Sequence, residues 1–393
     1  MNRMLRIYIL FVIAIVGFCF IGIIWTQNSG IGGALRKLGR SNSEYAQARN
    51  QLLLGTADPM NALVGFAADP KKSIAARSQA LQILQELSGR KTIQLDSIQI
   101  HHLLSDTTRD MRLITLAALE KIGCANDVFA FTTILHQARD TAMFQQSWRT
   151  LKSAMGPVRG ILMDPSDDAR KTIDSCAAVQ EHVPYGKAEE FSRLAAYYQS
   201  KGDTADARRF MIEFRYLSHW WITGSWDNKK MAGFYNQYSP EKRAFDPNDT
   251  FMLDDGSIAR WIPIDTLKTE TWGVWVDLLA LLLKKTYATA YIVTYLHSPS
   301  DQDALLLFGT DDGVKVWVND SLVFGNKIFR ACQADDDAVR IHLHKGANKI
   351  MAKILQDVGG WGFQFRVADM NGDPMPEVVC SRMDTVVEGQ GTH

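Results

Sequence analysis

The chain has 393 residues, 46% of them hydrophobic and 22% charged, with Lys+Arg and Asp+Glu equal at 43 each. That length allows two or three domains, the apolar share suffices for sizeable cores, and the balanced charge argues against nucleic acid as a partner. Five cysteines show neither Cys-x-x-Cys nor Cys/His metal spacing. Cys332 and Cys380 either bridge or stand as isolated buried thiols.

Arg3 and Arg6 lead into Ile7 to Trp25, which carries no charge. An apolar run of that length is about enough to cross a bilayer core of roughly 30 Å, and no small-x-small cut site follows it. The expectation is an uncleaved transmembrane signal anchor over residues 1–27, then a Gly-rich flexible stalk over 28–44. The bulk of the chain is then expected outside the cytoplasm, in a periplasm or at a cell surface.

Over residues 45–160 the apolar positions fall at helical spacing. Arg77 and Arg112, Leu81 and Leu116, and Leu84 and Leu119 share one spacing, 35 residues. Fixed-period helix pairs predict an α-solenoid. The acidic helix start, the inward Arg, the close-packed Ala and Leu and the terminal Gly resemble HEAT repeats, with a period shorter than is usual for that class. Such a solenoid implies a protein partner. Residues 161–218 read as a connector and one helical hairpin, Leu194-Ala-x-Tyr197-Tyr198 to Gly202-Asp203, that resembles a single tetratricopeptide unit.

After Trp220 the period changes to two, with short runs separated by Gly, Asp, Asn and Pro turns. Strands are predicted near 220–225, 258–264, 273–277, 288–297, 304–309, 314–318, 321–324, 338–344, 348–355 and 361–369. The pattern predicts an all-β jelly-roll sandwich over 219–376, followed by a tail, 377–393. Residues 227–256 form the longest irregular stretch, and a loop of that length is functional or disordered. Most of the 10 Trp lie between Trp220 and Trp361. They serve either inter-sheet packing or sugar stacking.

Asp311-Asp312-Gly313, Trp317-Val-Asn319-Asp320, Arg330, Lys345-Gly346-Ala-Asn348-Lys349 and Gly359-Gly360-Trp361-Gly362-Phe363 occur in this order. Together they resemble the galactose-binding-like jelly roll that accompanies β-galactosidase-type glycoside hydrolases and protective-antigen-type lectin-like units. The resemblance implies carbohydrate binding through loop carboxylates. The candidate ligand contacts are Asp311, Asp312, Trp317, Arg330 and Trp361. Asp311 and Asp312 are also the candidate metal ligands, for calcium, although the same pair can equally accept backbone amides and shape the turn.

No Gly-x-Ser-x-Gly elbow, His-Glu-x-x-His, phosphate loop or Rossmann fingerprint is present, so no enzyme is expected. The fold class expected is therefore multidomain α plus β: a transmembrane anchor, a HEAT-like α-solenoid and a C-terminal jelly roll. The function expected is that of a membrane-anchored, non-catalytic protein whose sandwich binds carbohydrate or a surface polymer. The alternatives are a structural assembly protein without sugar binding, or an accessory subunit of a carbohydrate-processing system.

Overall fold

The computed structural model describes residues 30–90, 95–106, 108–122, 128–159, 215–266, 275–282 and 286–384. Helix starts early in the chain are set by side chains that accept from first-turn amides. Ser41 accepts from Glu44 ahead of α1 (Asn42–Leu54), and Ser73 from Ala76 ahead of α3 (Ile74–Ser88). Asp96 and Gln99 form a reciprocal capping box at α4 (Ser97–Leu104). Between and after them run α2 (Met60–Ala68), α5 (Arg109–Ile122), α6 (Val128–Gln137) and α7 (Thr141–Arg159).

The chain divides into two units, one of Met1–Leu135 with Thr150–Gly156 and one of His136–Arg149 with Pro157–His393. In the first, Leu81, Leu84, Leu116 and Leu119 are all buried, so the spaced leucines are core positions. Both spaced arginines converge on Asp106. Arg77 meets its carboxylate at 2.6 Å with both side chains nearly solvent-free, and Arg112 Nε donates to its carbonyl at 2.7 Å. The Thr108 hydroxyl and amide, then Arg77, pull the Asp106 carboxyl down to about 2 against the effect of burial.

The second unit is a β-sandwich. Its larger sheet has the order β4-β1-β6-β11-β8-β9, with β13 pairing the free end of β6, and its smaller sheet the order β10-β7-β12-β5. The strands are β1 (His219–Asp227), β2 (Thr250–Met252), β3 (Ile258–Arg260), β4 (Ile262–Asp265), β5 (Val276–Asp277), β6 (Ala288–Ser298) and β7 (Gln302–Asp311). They continue as β8 (Val314–Val318), β9 (Ser321–Asn326), β10 (Asp337–Leu343), β11 (Gly346–Leu355), β12 (Gly362–Ala368) and β13 (Val379–Ser381), with a short helix, α8 (Leu278–Leu281), after β5. The two sheets close on Trp220, Ile292, Phe308, Val316, Ile350 and Phe365, and Phe308 stacks on Phe365 with centroids 4.8 Å apart. Each such side chain contributes about 1.5–3 kcal/mol by leaving water.

Two sequence features explain themselves here. Asn348 is fully buried and clamps the β10–β11 turn, accepting from the His344 amide and from Asn319 Nδ2, both at 2.9 Å, and donating to the His344 carbonyl at 2.7 Å. A Cβ on Gly309 would lie 1.9 Å from the Gln333 carbonyl oxygen, so only glycine lets that loop lie against β7. Within the same unit, Trp148 Nε1 donates to the Asp335 carbonyl at 3.1 Å, and Arg340 donates to the Ala138 carbonyl at 2.6 Å while stacking over Phe144.

The expected fold class is corrected. Among the described residues no helix is long and apolar enough to cross a membrane, and the architecture is N-terminal helices with a C-terminal β-sandwich. The anchor expected over 1–27 lies outside the described residues, as does the connector and hairpin expected over 161–218 except for its last four residues; these are not helical, and Tyr216 bridges to Arg366 of the sandwich. Residues 30–35, assigned by composition to a flexible stalk, are helical, and Ala34 and Leu38 are buried. The tail expected from 377 contributes β13. Cys332 and Cys380 are free thiols rather than a bridge, and burial pushes both thiol pKa values up.

Candidate functional site

β7 runs out at Asp311, opposite Gly362 of β12, and the next peptide, Asp311–Asp312, is cis. The Asp312 side chain is buried and both its oxygens are engaged. Oδ1 accepts the Arg330 amide at 2.9 Å, and Oδ2 accepts the Asp357 amide at 2.7 Å. One carboxylate thus ties the β7–β8 turn to the loops after β9 and β11. Arg330 braces the same corner, donating to Thr310 O and Oγ1 at 3.1 Å each and to Asp337 Oδ2 at 2.5 Å.

Asp311 is different. It is half-buried, and Gly360 passes so close that a Cβ there would lie 2.6 Å from its Oδ2. Burial, then the charge of Asp312, pushes its carboxyl up to about 6, with Arg330 pulling the other way. Calcium takes about six to eight oxygen ligands. With Asp312 spent on amides and a guanidinium beside Asp311, this pair does not fit the core of a calcium site.

The five expected contacts do not form one site. Asp311, Asp312 and Arg330 come together. Trp361 is fully buried in the inter-sheet core, where its carbonyl accepts the Leu278 amide at 2.9 Å, so its ring offers no face to a ligand. Trp317, opposite Met351 on the outer face of the larger sheet, is half-buried and lines a cleft elsewhere.

That cleft is built by the irregular stretch after β1. Asn228 is fully buried, donating to the Gln356 carbonyl at 2.8 Å and accepting from the Gly233 amide at 2.9 Å, which turns the chain back across the sheet. Lys353 rises from β11 to meet it, donating to the carbonyls of Gly233 at 2.9 Å and Asn236 at 2.7 Å and pairing with Glu241. Tyr291 donates to the same Glu241. Burial lowers the Lys353 pKa and Glu241 raises it, while burial and then Glu241 push the Tyr291 phenol up. Over this polar anchor lies an aromatic layer: Phe245 packs edge-on to Trp261 at 5.1 Å, and Phe251 packs edge-on to Trp261 at 5.8 Å.

Between this layer and Trp317 opens a cleft of about 80 Å³. Phe245, Phe251, Trp261 and Trp317 give it apolar walls. Glu241, Arg243, Asp249, Asp320 and Lys349 supply its polar rim. Every acid there faces a cation: Glu241 faces Lys353, Asp249 lies 3.6 Å from Arg243, and Asp320 lies 2.6 Å from Lys349. Apart from Trp317, these residues were not among the expected contacts. The available signal was the long irregular stretch 227–256 itself.

No family model matches the chain, and no curated protein matches it. Among solved structures it is similar to the β-glucosidase from Kluyveromyces marxianus in complex with glucose, at 14% identity and a TM-score of 0.22, over 38% of this chain and 15% of that one. It is similar to the PA14 domain of the MpAFP antifreeze protein at 11% identity and a TM-score of 0.18, over 25% of this chain and 56% of that one. A GH31 α-xylosidase from Xanthomonas citri gives 12% identity and a TM-score of 0.18, over 26% of this chain and 12% of that one. The chain thus spans less than two thirds of each of these neighbours, and no residue role is carried over from them.

Proposed function

We propose that this chain is a non-catalytic binding protein whose β-sandwich takes a carbohydrate in the cleft lined by Trp317. The supporting observation is the composition of that cleft. A half-exposed indole, with Phe245 and Trp261 nearby, offers flat apolar surface. Charged donors and acceptors rim it: Arg243 and Lys349 on one hand, Asp249 and Asp320 on the other. A pyranose has the matching chemistry, with an apolar C–H face and hydroxyls at its edge. Sites of this kind are mostly apolar with a few placed polar groups. Glycoside hydrolysis needs two carboxyl groups held across the scissile bond in acid and base roles, and the acids here are already tied into ion pairs. Binding without chemistry is the reading that accounts for both facts. The helical unit is read as HEAT-like and as the part that docks a second protein.

The test is titration of the full chain with a panel of mono- and oligosaccharides, followed by tryptophan fluorescence and calorimetry. At least one sugar is expected to bind, with Trp317→Ala weakening it tenfold or more while the circular dichroism spectrum stays unchanged. Absence of binding to every sugar, or a Trp317→Ala variant that binds as well as its parent, would sink the proposal.

A further inference from the structure

We propose that Asp301, His342 and His344 form a binding site for a divalent transition metal, with zinc the foremost occupant. Their ligand atoms all lie within 4.8 Å of one another. The cluster shares no residue with the aromatic cleft.

The fold brings these residues together for identifiable reasons. His342 and His344 flank the buried Leu343 at the end of β10, so the period of two turns both imidazoles to the outer side of the strand. The rings sit edge to face with centroids 5.2 Å apart. The His344 backbone is fixed from behind, since its amide and carbonyl both bond to the buried Asn348. Asp301 comes from the β6–β7 turn, where it accepts the Lys345 amide at 2.8 Å and lies 3.7 Å from His344 Nδ1. Two connections that cross between the sheets, β6–β7 and β10–β11, are thereby held against each other.

A fourth residue supports ligation rather than coincidence. Asp303, paired with His342 in the β7–β10 register, lies 2.8 Å from His342 Nδ1. A carboxylate on one imidazole nitrogen orients the ring and leaves the other nitrogen its lone pair, the arrangement that metal-bound histidines use. Two imidazoles and a carboxylate suit zinc, copper, nickel or cobalt and not calcium or magnesium, which take oxygen. Tetrahedral ligands about 2.0–2.1 Å from zinc lie about 3.3 Å from one another. All three side chains are more than half exposed, so rotation closes the remaining gap without disturbing the core. Water fills the fourth position. A bound ion would cross-link the β6–β7 and β10–β11 turns, which lie side by side at one end of the sandwich.

The experiment uses the full chain stripped with chelator. Zinc titration by calorimetry is expected to give one site in the micromolar range, and cobalt the visible bands of a low-coordinate ion. Zinc should raise the unfolding midpoint by about 3–6 °C. In the H342A/H344A double variant the affinity should fall at least tenfold and the midpoint shift should vanish, while H101A/H102A should bind as the parent does. The inference is overturned by an absence of zinc binding in the parent, or by retention of binding and midpoint shift in H342A/H344A.

Discussion

Asp311 and Asp312 are adjacent and chemically identical, yet their surroundings give them opposite duties. Asp312 accepts amides 18 and 45 residues away, and removing it would strand two donors at about 1–3 kcal/mol each. Asp311 is held with its carboxyl pushed up to about 6 by burial and by Asp312. A carboxylate with a raised folded pKa stabilises the fold below its ordinary value near 3.8, and that contribution is lost as pH rises through about 6. Asp311→Asn removes the penalty. It should therefore gain roughly 1 kcal/mol over the parent in urea unfolding at pH 7.5, after allowance for partial exposure, with the gain shrinking toward pH 4. Asp312→Ala should lose stability at both pH values. The sequence marked this pair as the key turn. It could not say which carboxylate was spent, because the amides that decide it come from loops remote in the chain. Trp361 misled for a related reason: an aromatic at a strand start reads alike whether its ring faces solvent or the opposite sheet.

At the scale of elements, the outer face of β6 and β11 is covered by the stretch after β1, and Lys353 and Glu241 are the bolt between them. Their side chains are 0% and 6% exposed, so truncating one member leaves a buried charge without its partner. Glu241→Gln is expected to cost about 3–5 kcal/mol in denaturant unfolding and to abolish sugar binding, since Glu241 also lines the cleft. Lys353→Met with Glu241→Leu should recover most of the stability but not the binding. A double variant no more stable than Glu241→Gln would show that the pair's charges are not the cause. Strands β6 to β8 and β10 to β12 were legible because five or more residues of alternating or continuous apolar character leave a clear period, while the shorter run Leu322-Val323-Phe324 marked β9. β2 and β13 have three residues each, too few for a period to show, whereas β3 falls within the strand expected near 258–264. Asp254-Asp255-Gly256 forms the turn between β2 and β3, inside the stretch expected to be irregular.

For the molecule as a whole, the change from helical to alternating period near residue 219 located the start of the sandwich strands but not the limits of the unit. His136–Arg149 belongs with the sandwich, contributing the buried Trp148 and the Phe144 ring under Arg340. Helical periodicity placed these residues with the other helices, since an amphipathic helix carries no mark of which partner its apolar face will meet. A fragment of residues 136–393 should therefore unfold at least about 5 °C above one of 215–393, measured by near-ultraviolet circular dichroism. Equal midpoints would show that the segment adds nothing to the sandwich. In the first unit, Arg77 and Arg112, singled out by their spacing in the sequence, meet on one acceptor residue, Asp106.

β6 has a consequence for how the protein is made. Along one edge it pairs with β1 through Ala288–Val293 and then with β13 through Tyr295–His297, while β11 takes the other edge. A ribosome delivers β1 first, β11 some 60 residues after β6, and β13 last, at Val379–Ser381. Until that last strand emerges, the far end of β6 presents bare amides and carbonyls beside apolar side chains, the kind of edge that recruits other strands. Sheet closure must therefore wait for Val379–Ser381, and pairings of such long sequence separation form slowly. Nascent copies on neighbouring ribosomes would be the first competitors for that edge.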